Sequence, residues 1–341
     1  MTVTAAVLRR GLRRSLAAVP PASGAAVMGT GIVSVALSLD GHEVLSRVLL
    51  AIAALLWVAL GLLLFARFGW ERARVRTEAR SPAALTGVAA TGVLGARLTL
   101  LGWDVPGIVL LLMAASLWAG LLWPVLRHWT TPTIGVSLIL TVSTESLAVL
   151  AATLAVGERA RWLVVAALVP FCLGLAFYVF VIVSFDLRQL AVGGGDHWIT
   201  GGALAISTLA AGRITLAVAT PGALHGLHPV LRDVSLALWV VTMCWLPLLL
   251  VAEMRFPRVR YDVRRWGTVF PFGMYAACSF VVGAAADKHV IRDFAHVWVW
   301  VALAVWVAVF GAMLRRIAQV IRRQGTLVSP GVPPPGRRAA R

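Results

Sequence analysis

The chain has 341 residues, 60% of them hydrophobic and only 13% charged, with a mean hydropathy of +0.88. This balance excludes a soluble globular domain, which needs charge over most of its surface, and makes the lipid bilayer the first partner to expect. The net charge of +17 does not mark a nucleic-acid partner, because the arginines cluster at the ends of apolar runs and not along one basic face.

Residues 1–21 form a basic segment carrying Arg9, Arg10, Arg13 and Arg14, suited to anionic headgroups. A retained first helix is expected instead of a cleaved signal, since no small-residue cleavage site stands out after Leu39 and further apolar runs follow. Runs of about twenty apolar residues cross ~30 Å of hydrocarbon. They predict ten spanning helices over 22–39, 44–66, 82–101, 105–126, 132–155, 162–184, 198–219, 229–252, 266–285 and 295–314. The short alternating segments of a membrane barrel are absent. Residues 22–318 read as one all-α membrane domain, and 319–341, with Pro333, Pro334 and Pro335, as a disordered basic tail. The short connections 40–43 and 102–104 pair the helices as hairpins. Arginines crowd the N-terminal segment, the loops after the second and eighth helices and the C-terminal tail. By the positive-inside rule this places both chain ends in the cytoplasm of a multi-pass inner or plasma membrane protein.

Glycine is uneven across these runs, thirteen in odd-numbered helices against five in even-numbered ones. Small residues let membrane helices approach closely or bend, whereas leucine, valine and tryptophan suit lipid, so odd helices are expected inside and even helices outside. A faint repeat supports an internally duplicated plan: Gly95-Ala96-Arg97-Leu98-Thr99-Leu100 resembles Ala211-Gly212-Arg213-Ile214-Thr215-Leu216, 116 residues later.

Arg97, Arg213 and Glu145 fall within inner spans, where a charge at mid-membrane costs about 2.5–3.5 kcal/mol on the mildest scale and so faces protein or water. Two readings stand. Arg97 and Arg213 attract an anion while Glu145 balances or couples to it, or an Arg–Glu pair ties helices together. Pro271 leaves the carbonyl of Gly267 without its usual partner and favours a bend there; Gly29 and Gly31 are the matching flexible positions in the first helix. Cys172, Cys244 and Cys278 have no metal spacing, and His225 with His228 lacks a third ligand, so neither a metal nor a cofactor is expected.

Met28–Leu37, reading MGTGIVSVAL, and Trp266–Ala276, reading WGTVFPFGMYA, together with Asp196–Ala210, DHWITGGALAISTLA, resemble the tellurite-resistance/dicarboxylate transporter family. That family includes bacterial tellurite-resistance proteins, fungal malate permeases and sulfite pumps, and plant slow anion channels. The resemblance implies five helical hairpins around a quasi-fivefold pore, odd helices inner, in a homotrimer with one pore per subunit. It also implies a phenylalanine plug on the ninth helix, at Phe270. The implied activity is transport of a small anion, a four-carbon dicarboxylate such as malate or a smaller inorganic anion. A polytopic membrane enzyme would need a clustered acid/base, nucleophile or metal set near one membrane face, and the sequence offers none.

Overall fold

The computed structural model describes residues 19–158, 161–192, 194–219, 224–257 and 261–328. Ten long helices follow the chain: α1 (Gly24–Leu39), α2 (Glu43–Trp70), α3 (Thr86–Thr99), α4 (Asp104–Arg127), α5 (Ile139–Glu158), α6 (Arg161–Ile182), α7 (Trp198–Val218), α8 (His228–Arg255), α9 (Trp266–Ala285) and α10 (His289–Val328). Nine of these, among the described residues, are long and apolar enough to cross a membrane. The tenth expected span, α3, is shorter; with its leading 3-10 turn Pro82–Leu85 it still runs through the protein interior. Threonines, glycines and Arg97 lower its hydropathy, which an interior helix tolerates because its neighbours are protein.

The odd helices form a closed ring. α1 packs on α3, α3 on α5, α5 on α7, α7 on α9, and α9 returns to α1, while each even helix lies outside against its hairpin partner. The four inner helices long enough to compare are 67–94% buried, against 17–28% for the outer five. Glycine at the ring seams makes this possible. A Cβ on Gly273 of α9 would lie 2.6 Å from Ile32 of α1, and one on Gly95 of α3 would lie 2.7 Å from Leu150 of α5, so backbone meets side chain directly at these crossings.

Three hairpins close with the same turn, a left-handed residue just past the inner helix: Gly41 (φ 84°), Gly102 (φ 79°) and Asp287 (φ 51°). The following amides return to helix carbonyls, His42 to Leu37 at 2.9 Å, Trp103 to Leu98 at 3.1 Å and Lys288 to Gly283 at 2.9 Å, satisfying groups the helix ends leave open. The face holding these turns is here the distal face. The opposite, proximal face holds the start of α1 and the short helix Arg72–Glu78, where buried Arg67 binds Glu78 at 2.7 Å and the Val19 carbonyl at 3.3 Å.

Outer helices are pinned to inner ones by a recurring bond. The indole N–H of Trp57 donates to Thr91 at 3.0 Å, Trp118 to Thr144 at 2.9 Å, Trp239 to Ser279 at 2.8 Å and Trp306 to Thr30 at 3.0 Å. Each receiving hydroxyl gives its own proton to the carbonyl one turn back, Gly87, Leu140, Tyr275 or Ala26, leaving a lone pair for the indole.

The last helix continues to Val328, so residues 319–328 are helical where a disordered tail was expected. The run of polar and basic residues after Leu314 carries the helix beyond its apolar stretch, as a helix end can once it leaves hydrocarbon. Residues 1–18 and 329–341 of the two basic segments lie outside the described residues.

Candidate functional site

Inside the ring, towards its distal half, is a cavity to which all five inner helices contribute, including Ile32 (α1), Val93 (α3), Ser146 and Thr153 (α5), Arg213 (α7) and Met274 (α9). The wall is mostly apolar, and Arg213 is the one charged residue on it. Its side chain is 7% exposed and makes no hydrogen bond or ion pair with any other described residue.

Arg97, its counterpart in the repeat, is placed differently. Fully buried, it donates from Nη2 to both Glu43 oxygens at 2.8 and 2.9 Å and from Nε to Ser46 at 2.9 Å. Ser46 in turn donates to the Ser34 carbonyl at 2.6 Å, so the cluster joins α1, α2 and α3. Glu43 opens α2, where the helix dipole also favours a carboxylate. The pairing of Arg97 with Glu145 offered by the sequence is therefore not formed; Arg97 is ion-paired with Glu43, and its Nη1 is buried without a hydrogen-bond partner. The counter-ion is not repeated: 116 residues after Glu43 stands Arg159. Nothing in local spacing marked Glu43 as the partner, because it lies 54 residues away on the neighbouring helix.

Glu145 does not line the cavity. It is fully buried on the α6 side of α5, where a methyl on Gly174 would lie 2.6 Å from its carboxyl group. Neither carboxylate oxygen makes a close hydrogen bond, its polar neighbour being Ser207 of α7, and no ion pair joins it to Arg97 or Arg213.

Phe270 is 2% exposed on α9, one turn before Met274 and on the same helix stripe. Phe272 faces the other way, 4.7 Å from the ring of Trp198 and 5.3 Å from that of Trp298 on α10. The residues expected to bend the pore helices stand at tight helix crossings. A Cβ on Gly29 would lie 3.1 Å from Trp266 and Val269, one on Gly31 would lie 2.9 Å from Val93, and the Pro271 ring lies 2.7 Å from a Cβ on Gly202. Gly267 is not tightly packed, with Ile199 at 3.7 Å, and both α1 and α9 are continuous helices.

A chain that folds as a ring of five hairpins around a cavity is matched by a known family. The family model described as the voltage-dependent anion channel, SLAC1, matches residues 18–314. The chain belongs to this family. The SLAC1 family is the tellurite-resistance/dicarboxylate transporter family that the motifs at 28–37 and 266–276 resemble, and its members are anion channels or transporters, not enzymes. The chain is similar to uncharacterised membrane proteins of Mycobacterium tuberculosis, MT1776 of strain CDC 1551 and Rv1735c of strain H37Rv. Each is 33% identical over 141 residues, covering 38% of this chain and 68% of theirs. As a SLAC1-family protein this chain is a multi-pass membrane protein whose substrate is an anion.

Proposed function

We propose that this protein passes small anions along the axis of the five-helix ring, with Arg213 drawing the anion in and Phe270 closing the path. The observation that carries this reading is the cavity wall, built from all five inner helices with Arg213 as its single charge. A buried cation with no counter-ion among the described residues is costly in hydrocarbon and is kept where an anion is to meet it. Phe270 lies one turn to the proximal side of Met274, and a ring at that level would fill the lumen and dewet it.

One available arginine favours a singly charged anion such as chloride or nitrate over a four-carbon dicarboxylate such as malate. Malate presents two carboxylates, and Arg97, which could have met the second, is bound to Glu43. The surrounding assignment is a transport unit over residues 22–318 in the plasma membrane, both chain ends cytoplasmic. Arg72, Arg74 and Arg76 on the proximal face support that orientation. A homotrimer with one path per subunit is the assembly the family resemblance implies.

The test is anion flux into liposomes holding the purified protein, with chloride, nitrate, sulfite and malate compared. Chloride or nitrate should enter fastest, and R213Q should lower flux at least about tenfold while the assembly stays intact, since a lost charge weakens the local field more than the packing. Undiminished flux in a folded R213Q would overturn the assignment.

A further inference from the structure

Four of the five inner helices carry a hydroxyl that receives an outer-helix indole, namely Thr30, Thr91, Thr144 and Ser279. The fifth, α7, breaks the pattern. Ser207 stands 116 residues after Thr91, the offset that relates Arg97 to Arg213. Like the other four, it gives its proton to the carbonyl one turn back, Ala203 at 3.2 Å. Its lone pairs are therefore placed for an outer donor. The adjoining outer helix has none: where α2 has Trp57, α6 has Leu173, followed by Gly174. The bare face of Gly174 is filled by the Glu145 carboxyl, reaching across from α5 to stand beside Ser207. Two further buried hydroxyls belong to the same pair of helices, Thr141 one turn from Glu145 and Tyr178, beside Trp245, one turn from Gly174. Because α5 and α6 run antiparallel, both of these turns lie towards the proximal face.

We propose that Glu145 is a proton-binding site, a carboxyl that in its protonated form takes the place of the missing indole and whose proton controls how strongly the pathway holds an anion. Ser207 is served by a donor, and of the two forms of a carboxyl only the protonated one donates. The ionised form would be a buried charge whose neighbouring hydroxyl, Ser207, gives its proton to the Ala203 carbonyl, the costly state in such surroundings. The Thr141 and Tyr178 hydroxyls, each able to donate and accept, give the proton a route along the seam towards the proximal face.

The link to the anion is spatial. Arg213 lies six residues beyond Ser207 on α7, ~9 Å at 1.5 Å per residue, and Ser146, next to Glu145, lines the cavity. At that separation and an effective dielectric near 20, an ionised Glu145 would offset the attraction of Arg213 by roughly tenfold in anion affinity. Of the other titratable side chains described on the helices packed against α5, Arg97 is held by Glu43, Asp104 and Arg127 stand at the two ends of α4, Cys172 of α6 is exposed, and Tyr178 stands one turn from Gly174 beside Trp245. Proton and anion are then held together, each raising the affinity for the other. This second half rests on the anion reading given above; the proton site does not.

Two measurements on the full-length protein test it. Infrared spectra of the parent in lipid should contain a protonated-carboxyl stretch at neutral pH that E145Q lacks; its absence from the parent overturns the proton site. In liposomes, nitrate affinity in the parent should fall about tenfold as Glu145 ionises at alkaline pH, whereas E145Q, which keeps an N–H donor in the seam, should keep its affinity across the range. An E145Q protein with the parent's pH dependence overturns the coupling. Should E145Q not fold, Tyr178→Phe leaves the carboxyl in place and should slow proton uptake, read by a lumenal pH dye, at unchanged nitrate affinity in acid; unchanged uptake overturns the route. A parent that moves no anion at all defeats the anion reading, and the infrared band then decides the proton site by itself.

Discussion

Arg97 and Arg213 share a sequence context and differ in everything that matters to their role. Arg97 is closed off by Glu43 and Ser46, so Arg97→Gln leaves a partly buried carboxylate without its strongest donor. Glu43 is 36% exposed and keeps Arg47 as a partner, so the loss is that of hydrogen bonds to a charged group, roughly 1.5–3 kcal/mol; R97Q should melt below the parent in a detergent thermal-shift assay, with E43Q/R97Q recovering much of the loss. Arg213 has no described partner, so R213Q should change the melting temperature little while it lowers flux. The two phenylalanines of α9 separate in the same way. Phe270→Ala should raise anion conductance several-fold if the ring plugs the lumen, and a folded variant that stays closed would remove it from that role. Phe272→Ala should not open the path. It loses ring contacts with Trp198 and Trp298, each worth about 0.5–1.5 kcal/mol beyond burial, and should be recognised by a lower melting temperature.

At the level of helices, two devices hold the ring. Small residues set how closely the inner helices approach, and indole–hydroxyl bonds set how the outer ones sit on them. Gly273→Val should be among the most damaging substitutions, because even a Cβ there would lie 2.6 Å from Ile32 and 3.2 Å from Val33; monodisperse protein on size-exclusion chromatography would contradict this. The indole bonds are individually weaker. Interhelical hydrogen bonds within membranes are worth about 0.6 kcal/mol on average and up to about 1.7, so Trp118→Phe should lower stability by that order and leave flux unchanged. Equal losses from Trp57→Phe and Trp239→Phe would fit a repeated structural bond.

For the whole molecule, the arrangement separates an inner ring rich in glycine and hydroxyl side chains from a more apolar outer shell. Outward residues such as Leu62, Phe65 and Val105 are well exposed and suit lipid or a neighbouring subunit. The basic proximal face predicts that a reporter fused after Arg341 reads cytoplasmic, whereas one inserted at 222–226 reads external. A periplasmic signal from the C-terminal fusion would reverse the direction in which Arg213 and the cavity face. Crosslinking in native membranes should give a three-subunit band, the assembly implied by the family.

The sequence by itself determined the class of molecule, the helix boundaries to within a few residues for most spans, and the division into inner and outer helices. Each of these depends on composition averaged over twenty residues, where hydropathy and glycine content leave a plain signal. It also located the buried charges, since a charge inside an apolar run is conspicuous wherever it points. Tertiary structure alone decided what each charge meets. Glu43 looked like a loop residue until α2 and α3 were brought together, Glu145 turned towards α6 and not towards either arginine, and Gly29, Gly31 and Pro271 were placed at close helix crossings. The physical reason is that a partner within hydrogen-bond distance is fixed by the rotation of one helix against another. In a chain whose inner helices are buried on nearly every side, no hydrophobic stripe remains from which that rotation can be read.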